Sequence, residues 1–377
     1  MSTPTPLVSR TAAELSAEGD PGAKGRVDVR GTLARILAGL APVLVTLLFI
    51  SALLLVAGAN PLTALGAMIS GAFGGARNLA DVVVAMVPLL LASAGMLVTF
   101  AAGLWNIGVE GQIIAGALGA TWVVQAMADA PPPAAVLLPL TIIGGLAGGT
   151  AWGLLVGVLK TYGRVHEIFA GLGLNYLALA LANYLIFGPW KPPDGATMSG
   201  TDPFPREAWM PVLGSTRASW PPVVFAVVAI ALVYVLLRDT NWGLRLKAIG
   251  LNGQAAHRMG IDNKRAMLQA FALCGAVAGL AGSFQTTAVY HRLIPSISSG
   301  YGYLAQLVVL LSGLRAQWVP AIVLFFSAVQ VGSPRLELRL MLDSSLGGVL
   351  QSSMVLFFIL VRGFRQRIES RRKRHAA

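Results

Sequence analysis

Apolar residues in this chain are gathered into long runs separated by short polar stretches. A helix that crosses a bilayer needs about 20 mostly apolar residues. Ten runs approach that length, at 36–58, 79–101, 107–127, 134–158, 167–187, 221–237, 266–283, 301–315, 318–333 and 346–362. The sixth, eighth and ninth are short. The pattern predicts an all-α polytopic membrane protein with about ten transmembrane helices, filling residues 35–362.

The polar interruptions carry the rest of the information. GLWNIGVEGQ, residues 103–112, lies between two apolar runs and puts Asn106, Glu110 and Gln112 where the surroundings read as membrane. The stretch is either a loop in water or a site in the bilayer. Deeper in the runs the polar groups are neutral, namely Asn175, Asn183, Gln306 and Gln351, whereas Asp81, Glu110 and Glu167 sit near run ends. Ion-coupled carriers normally hold charge deep in the bundle. A neutral path suits a neutral solute and leaves the driving energy to come from elsewhere.

Residues 238–265 form the longest connection on the basic side. Within it, Asn252 is a candidate N-cap, 253–259 a helix of about two turns, and Gly260 its stop. Ala255 and Met259 lie one turn apart with Ala256 beside them, a small apolar face. A helix this short is not stable alone in water. Its partner is either another protein, or the membrane and its own bundle. The connection 188–220 is rich in Pro and Gly, carries Trp190, Trp209 and Trp220, and reads as an exposed external element. Residues 1–34 read as a disordered tail and 363–377 as a basic one.

Composition agrees with a membrane protein. The chain is 55% hydrophobic and 12% charged, against about 25% charge in soluble domains. The charges also set an orientation. With the N-terminus inside, 21 of the 28 Lys and Arg residues fall on the cytoplasmic side. Both tails and the 238–265 loop are then cytoplasmic. The sequence pI near 10.4 is thus explained by topology and the tail RRKR by contact with anionic lipid, with no call on nucleic acid.

Candidate chemistry is sparse. The chain has no G-x-x-x-x-G-K-[ST] loop for ATP, no H-E-x-x-H, and no Cys/His cluster with metal spacing. Its single cysteine, Cys274, lies in an apolar run and reads as a packing residue. Gly145, Gly149 and Gly153, and Gly275 and Gly279, place small residues on single helix faces, the arrangement that lets helices approach closely in lipid. An enzyme is disfavoured. A transport subunit, a self-sufficient carrier or channel, and a membrane scaffold remain, the last discouraged by polar residues inside the runs.

Three stretches resemble permease subunits of bacterial ABC importers for nucleosides and simple sugars, a branched-chain amino acid permease-like family. They are GLWNIGVEGQIIAGALGA (103–120), LGLNYLALALANYLI (172–186) and WGLRLKAIGLNGQAAHRMGI (242–261), with GYGYLAQLVVLLSG (300–313) as a weaker fourth. The resemblance implies a plasma-membrane permease powered by a separate ATPase that holds ATP and Mg, with no cofactor in this chain. It also implies a second permease, a distinct homologue, and an external solute-binding protein. A helix broken near 103–108 is expected, with Gly103 and Gly108 permitting the break. Trp105, Asn106, Glu110, Gln112, Asn175 and Gln306 become candidates for the solute path. Glu110 either contacts solute or braces the break. Lys247, Gly250, Asn252, Ala255, Ala256, Met259, Gly260 and Ile261 become candidates for docking into a groove of the ATPase, with Lys247 standing where the family usually has Arg.

Overall fold

The computed structural model describes residues 44–56, 58–192, 200–214, 216–341, 343 and 345–376. The N-terminal tail expected over 1–34 lies outside the described residues. Among the described residues the regular structure is helical, with one isolated β-bridge between Val212 and Ser219. In chain order the helices are α1 Leu44–Val56, α2 Pro61–Phe73, α3 Ala76–Ala101, α4 Val109–Ala126, α5 Ala134–Thr161 and α6 Glu167–Phe187. There follow α7 Trp220–Asp239, α8 Asn241–Arg258, α9 Asn263–Phe284, α10 Tyr301–Leu311, α11 Val319–Gly332, α12 Pro334–Leu340 and α13 Leu346–Ala376.

Among the described residues, six helical stretches are long and apolar enough to cross a bilayer, and α1 with α2 forms a seventh if that pair, bent by 110°, is one span. The expectation of ten therefore exceeds what length supports. The helices expected at the other positions exist, and some are short: α10 has 11 residues and the apolar part of α13 runs Leu346–Val361. The chain also holds helices that the apolar runs did not signal. Helix α2 starts with a cap, Asn60 accepting the N–H of Leu62 at 2.9 Å, with Pro61 in its first turn.

Helices α3 and α9 sit at the centre. In α3 every residue from Val87 to Phe100 is buried. Helix α9 lies against α5 through glycine. A Cβ on Gly149 would strike the backbone of Gly275 and Gly279, and one on Gly275 would strike the carbonyl of Gly149. The two glycine faces expected from the sequence thus meet each other. Backbones this close gain dispersion contacts that no larger residue would allow.

Past Phe284 the helix continues as a π-turn over Gln285–Val289. Residues 290–300 then fold back without helical structure. Leu293 and Ile297 pack into a buried cluster with Ile114, Ala178 and Ile186, so this segment descends between α4 and α6. Its backbone is strained, with His291, Ser296 and Ser299 all at positive φ of 48–58°. Helix α10 starts at the bottom of that descent, which is why it is only half a span long. Nor is the 188–220 connection simply an exposed element. Thr201, Phe204, Ala208 and Met210 are buried, and the N–H groups of Thr201 and Phe204 donate to the carbonyls of Leu293 and His291 at 2.9 and 2.8 Å. The reason is the re-entrant segment beside it, whose backbone groups need partners.

Candidate functional site

Helix α3 ends at Ala101 and α4 begins at Val109, so the expected break is present over 102–108. Gly103 permits it through a left-handed φ of 71°. Gly108 serves differently. Its φ is an ordinary −71°, and the requirement is space, because a Cβ there would lie 3.1–3.2 Å from Val156, Asn106 Oδ1 and the Cα of Gly171.

Starting a helix leaves its first N–H groups without intrahelical partners, and at a buried position those groups must be satisfied by side chains. Two asparagines do this. Asn106 Oδ1 accepts the N–H of Gly108 at 3.1 Å, while its Nδ2 donates to Cys274 Sγ at 3.2 Å and to Gln112 Oε1 at 3.4 Å. Asn106 and Gln112 are both fully buried. Asn175 reaches in from α6. Its Oδ1 accepts the N–H of Gly111 at 2.8 Å, and its Nδ2 donates to the Ile107 carbonyl at 2.9 Å and to the Tyr303 hydroxyl at 3.4 Å. The Trp105 N–H donates to Glu167 Oε1 at 3.5 Å, and Lys160 neutralises Glu167 at 2.6 Å.

Glu110 serves another helix. Its Oε1 accepts from Ser298 Oγ at 2.6 Å and from the Gly300 N–H at 3.1 Å, and its Oε2 accepts from the Gly302 N–H at 2.8 Å. The carboxylate thus caps the N-terminus of α10, where free N–H groups and the helix dipole both favour an anion. A Cβ on Gly302 would sit 2.7 Å from Glu110 Oε2, so glycine there is what lets the carboxylate in. The sequence left Glu110 either contacting solute or bracing the break at the start of its own helix. The structure places it instead against residues nearly 190 positions further on.

Five of the six candidates for a solute path are therefore brought together around one break, and α10 is tied to it. Asn106, Gln112, Glu110 and Asn175 are buried with hydrogen-bonding capacity spent on protein. Trp105 is 48% exposed, its ring edge-on to Phe100 at 5.2 Å. Gln306 lies half-buried on α10, apart from these hydrogen bonds. Tyr303, missed by the sequence reading, is 42% exposed and joins the knot through Asn175. Its signal was its place in GYGYLAQ, beside the glycines that admit Glu110.

The second candidate region is α8, which runs from Asn241 and is kinked at Asn252 (φ −158°, ψ 98°). Asn252 Oδ1 caps the second half by accepting the Ala255 N–H at 3.0 Å, and Gly260 ends it at φ 83°. The short capped helix expected there is present, and the residues ahead of it are helical too. Of the docking candidates, Lys247, Asn252, Ala255, Met259 and Gly260 are exposed, Gly250 is open on one side, and Ile261 is half-buried. Ala256 is fully buried and packs with the main core, so it belongs to the inner face. Gly250 packs its backbone on the break itself, where a Cβ would lie 2.5 Å from the Ala101 carbonyl and 2.9 Å from the Gly103 nitrogen.

A chain of apolar helices around an internally bonded helix break, with a capped amphipathic helix at one end, describes a membrane transport subunit. Residues 78–361 match the family described as branched-chain amino acid transport system / permease component, and the chain belongs to that family. It is 31% identical over 364 residues to a glucose ABC transporter permease of Haloferax volcanii, covering 90% of this chain and 92% of that protein. It is also similar to two different nucleoside ABC transporter permeases of Lactococcus lactis. One is 27% identical, covering 75% of this chain and 79% of that protein, and the other 29%, covering 60% and 72%.

Proposed function

We propose that this chain forms one half of the translocation path of an ABC importer for a neutral polar solute, a nucleoside or simple sugar. The observation that supports the reading most is the knot at residues 102–112. Buried neutral amides hold a broken helix open at a place where aromatic rings, Trp105 and Tyr303, remain half-exposed. Rings of that kind stack on bases and on the apolar faces of sugars. Irregular backbone at membrane depth is tolerated where it is buried in protein or lines a cavity. The names of the relatives favour the same solute class.

The chain in this reading resides in the bacterial plasma membrane with both termini cytoplasmic. Ten spans result when the bent α1–α2 pair, α4, the half-length α10 and the apolar part of α13 are added to the six span-length stretches. A second permease, a distinct homologue, covers the exposed aromatic face of α6, where Phe169, Tyr176 and Tyr184 are 67–71% exposed. That two Lactococcus permeases both resemble this chain favours a heteromeric pair. The exposed edge of α8 from its kink onward, with Asn252, Ala255, Met259 and Gly260, docks on an ATPase that holds ATP and Mg. An external binding protein delivers solute to the opposite end.

The test is uptake into vesicles containing the purified complex. Radiolabelled nucleoside and glucose should enter only when ATP is supplied and the ATPase is present. Uptake driven by a proton or sodium gradient without the ATPase would identify a self-sufficient carrier instead.

A further inference from the structure

We propose that an anionic phospholipid binds in a cleft between the ends of α3, α7 and α8 and the turn at 314–317. The cleft has a volume of about 730 Å3. Three cations line it: Arg238 from the last turn of α7, Lys247 from α8 and Arg315 from the turn. The rest of its wall is largely apolar, with Leu97 and Phe100 from α3, Leu237 from α7 and Leu251 from α8. Asp239 is the nearest counter-charge, 3.7 Å from Arg238 and exposed. Among the described residues, Lys247 and Arg315 have no carboxylate within ion-pair distance.

This combination selects its occupant. Three cations on one cleft, Lys247 and Arg315 without a carboxylate and Arg238 held by exposed Asp239 and the Tyr234 hydroxyl, call for an anion, and the flanking leucines and Phe100 call for hydrocarbon beside it. A phosphodiester headgroup with its first acyl methylenes supplies both. Free phosphate supplies only the first and leaves most of the volume unfilled. The depth also suits a lipid, because the floor is the last turn of two span-length helices, α3 and α7, where headgroups lie. Basic pockets between helices at the cytoplasmic surface are the usual sites of such lipids. The placement rests on the orientation proposed above, which puts this end in the leaflet rich in anionic lipid. It does not depend on the identity of the solute.

The site has a consequence for coupling. Lys247 and Leu251 flank Gly250, whose backbone touches the break at Gly103. A lipid in the cleft thus bridges α8 to α3 and α7 and stiffens the joint between the docking helix and the solute path.

Native mass spectrometry of the full complex, purified in mild detergent and offered phosphatidylglycerol or phosphatidylcholine, reads the proposal directly. Phosphatidylglycerol should be retained selectively, and retention should weaken as salt is raised. The double variant Lys247→Gln/Arg315→Gln should bind it about thirtyfold more weakly, at roughly fivefold per charge. The charge-keeping pair Lys247→Arg/Arg315→Lys should retain it. Equal retention of both lipids by the wild type, or unchanged retention in the double Gln variant, overturns the proposal. Should inorganic phosphate alone raise the melting temperature as much as phosphatidylglycerol does, the site belongs to a free anion and the lipid is wrong. None of these readouts requires transport, so a failed uptake assay and a failed lipid assay remain distinguishable.

Discussion

Two of the polar stretches that interrupt the apolar pattern of this chain, 102–112 and 250–261, resolve the same physical problem in opposite ways. Each holds a helix interruption, a positive-φ glycine and an asparagine that caps a new helix. At the first, Asn106, Glu110 and Gln112 are buried and bonded to protein: Asn106 to Cys274 of α9, Glu110 to Ser298 and the start of α10, and Gln112 to Asn106. At the second, Ala256 is the one fully buried side chain and Ile261 packs half-buried on the core, while Leu251 and Met259 stand 88% and 70% exposed. A buried break must be complete in itself, because an unpaired donor in a low-dielectric site costs about 1–3 kcal/mol. An exposed one can leave its apolar residues for a partner that arrives later. The first is therefore a fixed part and the second an unfinished surface, and they touch through Gly103 and Gly250.

The largest expected effect breaks the fixed region. Glu110→Leu strips acceptors from Ser298, Gly300 and Gly302 together, and its cost should reach about 3–5 kcal/mol, enough to prevent recovery of folded complex. Glu110→Gln keeps one acceptor oxygen and should give a folded but less stable chain. Melting of the two purified variants decides this, and equal melting of Glu110→Leu and wild type would show that the carboxylate is no brace. Asn175→Leu comes next. It orphans the Gly111 N–H and the Ile107 carbonyl, for about 2–4 kcal/mol, with uptake reduced in whatever complex survives.

A smaller change tests the contact between the regions. Gly250→Ala adds a Cβ that cannot fit against Ala101 and Gly103 without a shift, so it should cost about 1–3 kcal/mol. Because the strain falls on the joint, ATP hydrolysis should continue while uptake per ATP declines. Unchanged uptake per ATP would show that the two regions work independently.

Much of this was visible in the sequence, and what was not has a common cause. The break near 103–108 was expected through the family resemblance, and the extent of α6, the two glycine faces and the Asn252 cap depend on local signals, such as glycine, asparagine and the length of an apolar run. The partners of Glu110 did not, since Ser298 and Gly302 lie nearly 190 residues away and nothing near Glu110 names them. The eighth run was visibly short but its cause was not, because 290–300, with His291, Arg292 and three serines, reads as an ordinary connection and gives no sign that it folds back between α4 and α6. Ala256 was assigned to the outer face for a related reason. In a membrane protein lipid, core and partner are all served by apolar residues, so an apolar position does not say which way it points. Short helices such as α2 and α12 likewise have too few residues to register as runs.

Met259→Asp carries the smallest expected effect on stability and makes the sharpest use of the contrast. Met259 is 70% exposed at the end of the capped helix, and a solvated aspartate there removes no internal contact of consequence. Surface changes of this sort usually alter stability by less than about 0.5 kcal/mol, so the isolated permease should melt as the wild type does. In the assembled importer the same side chain is driven into an apolar groove, where an unpaired charge costs several kcal/mol. The ATPase should then fail to co-purify, or hydrolyse ATP without uptake. Ala255→Asp, one turn earlier and also exposed, should behave alike, whereas Ala256→Asp should fail earlier, at folding, because it buries its charge within this chain. If Met259→Asp and Ala256→Asp proved equally folded and equally active, the division into a finished inner face and an unfinished outer one would be wrong.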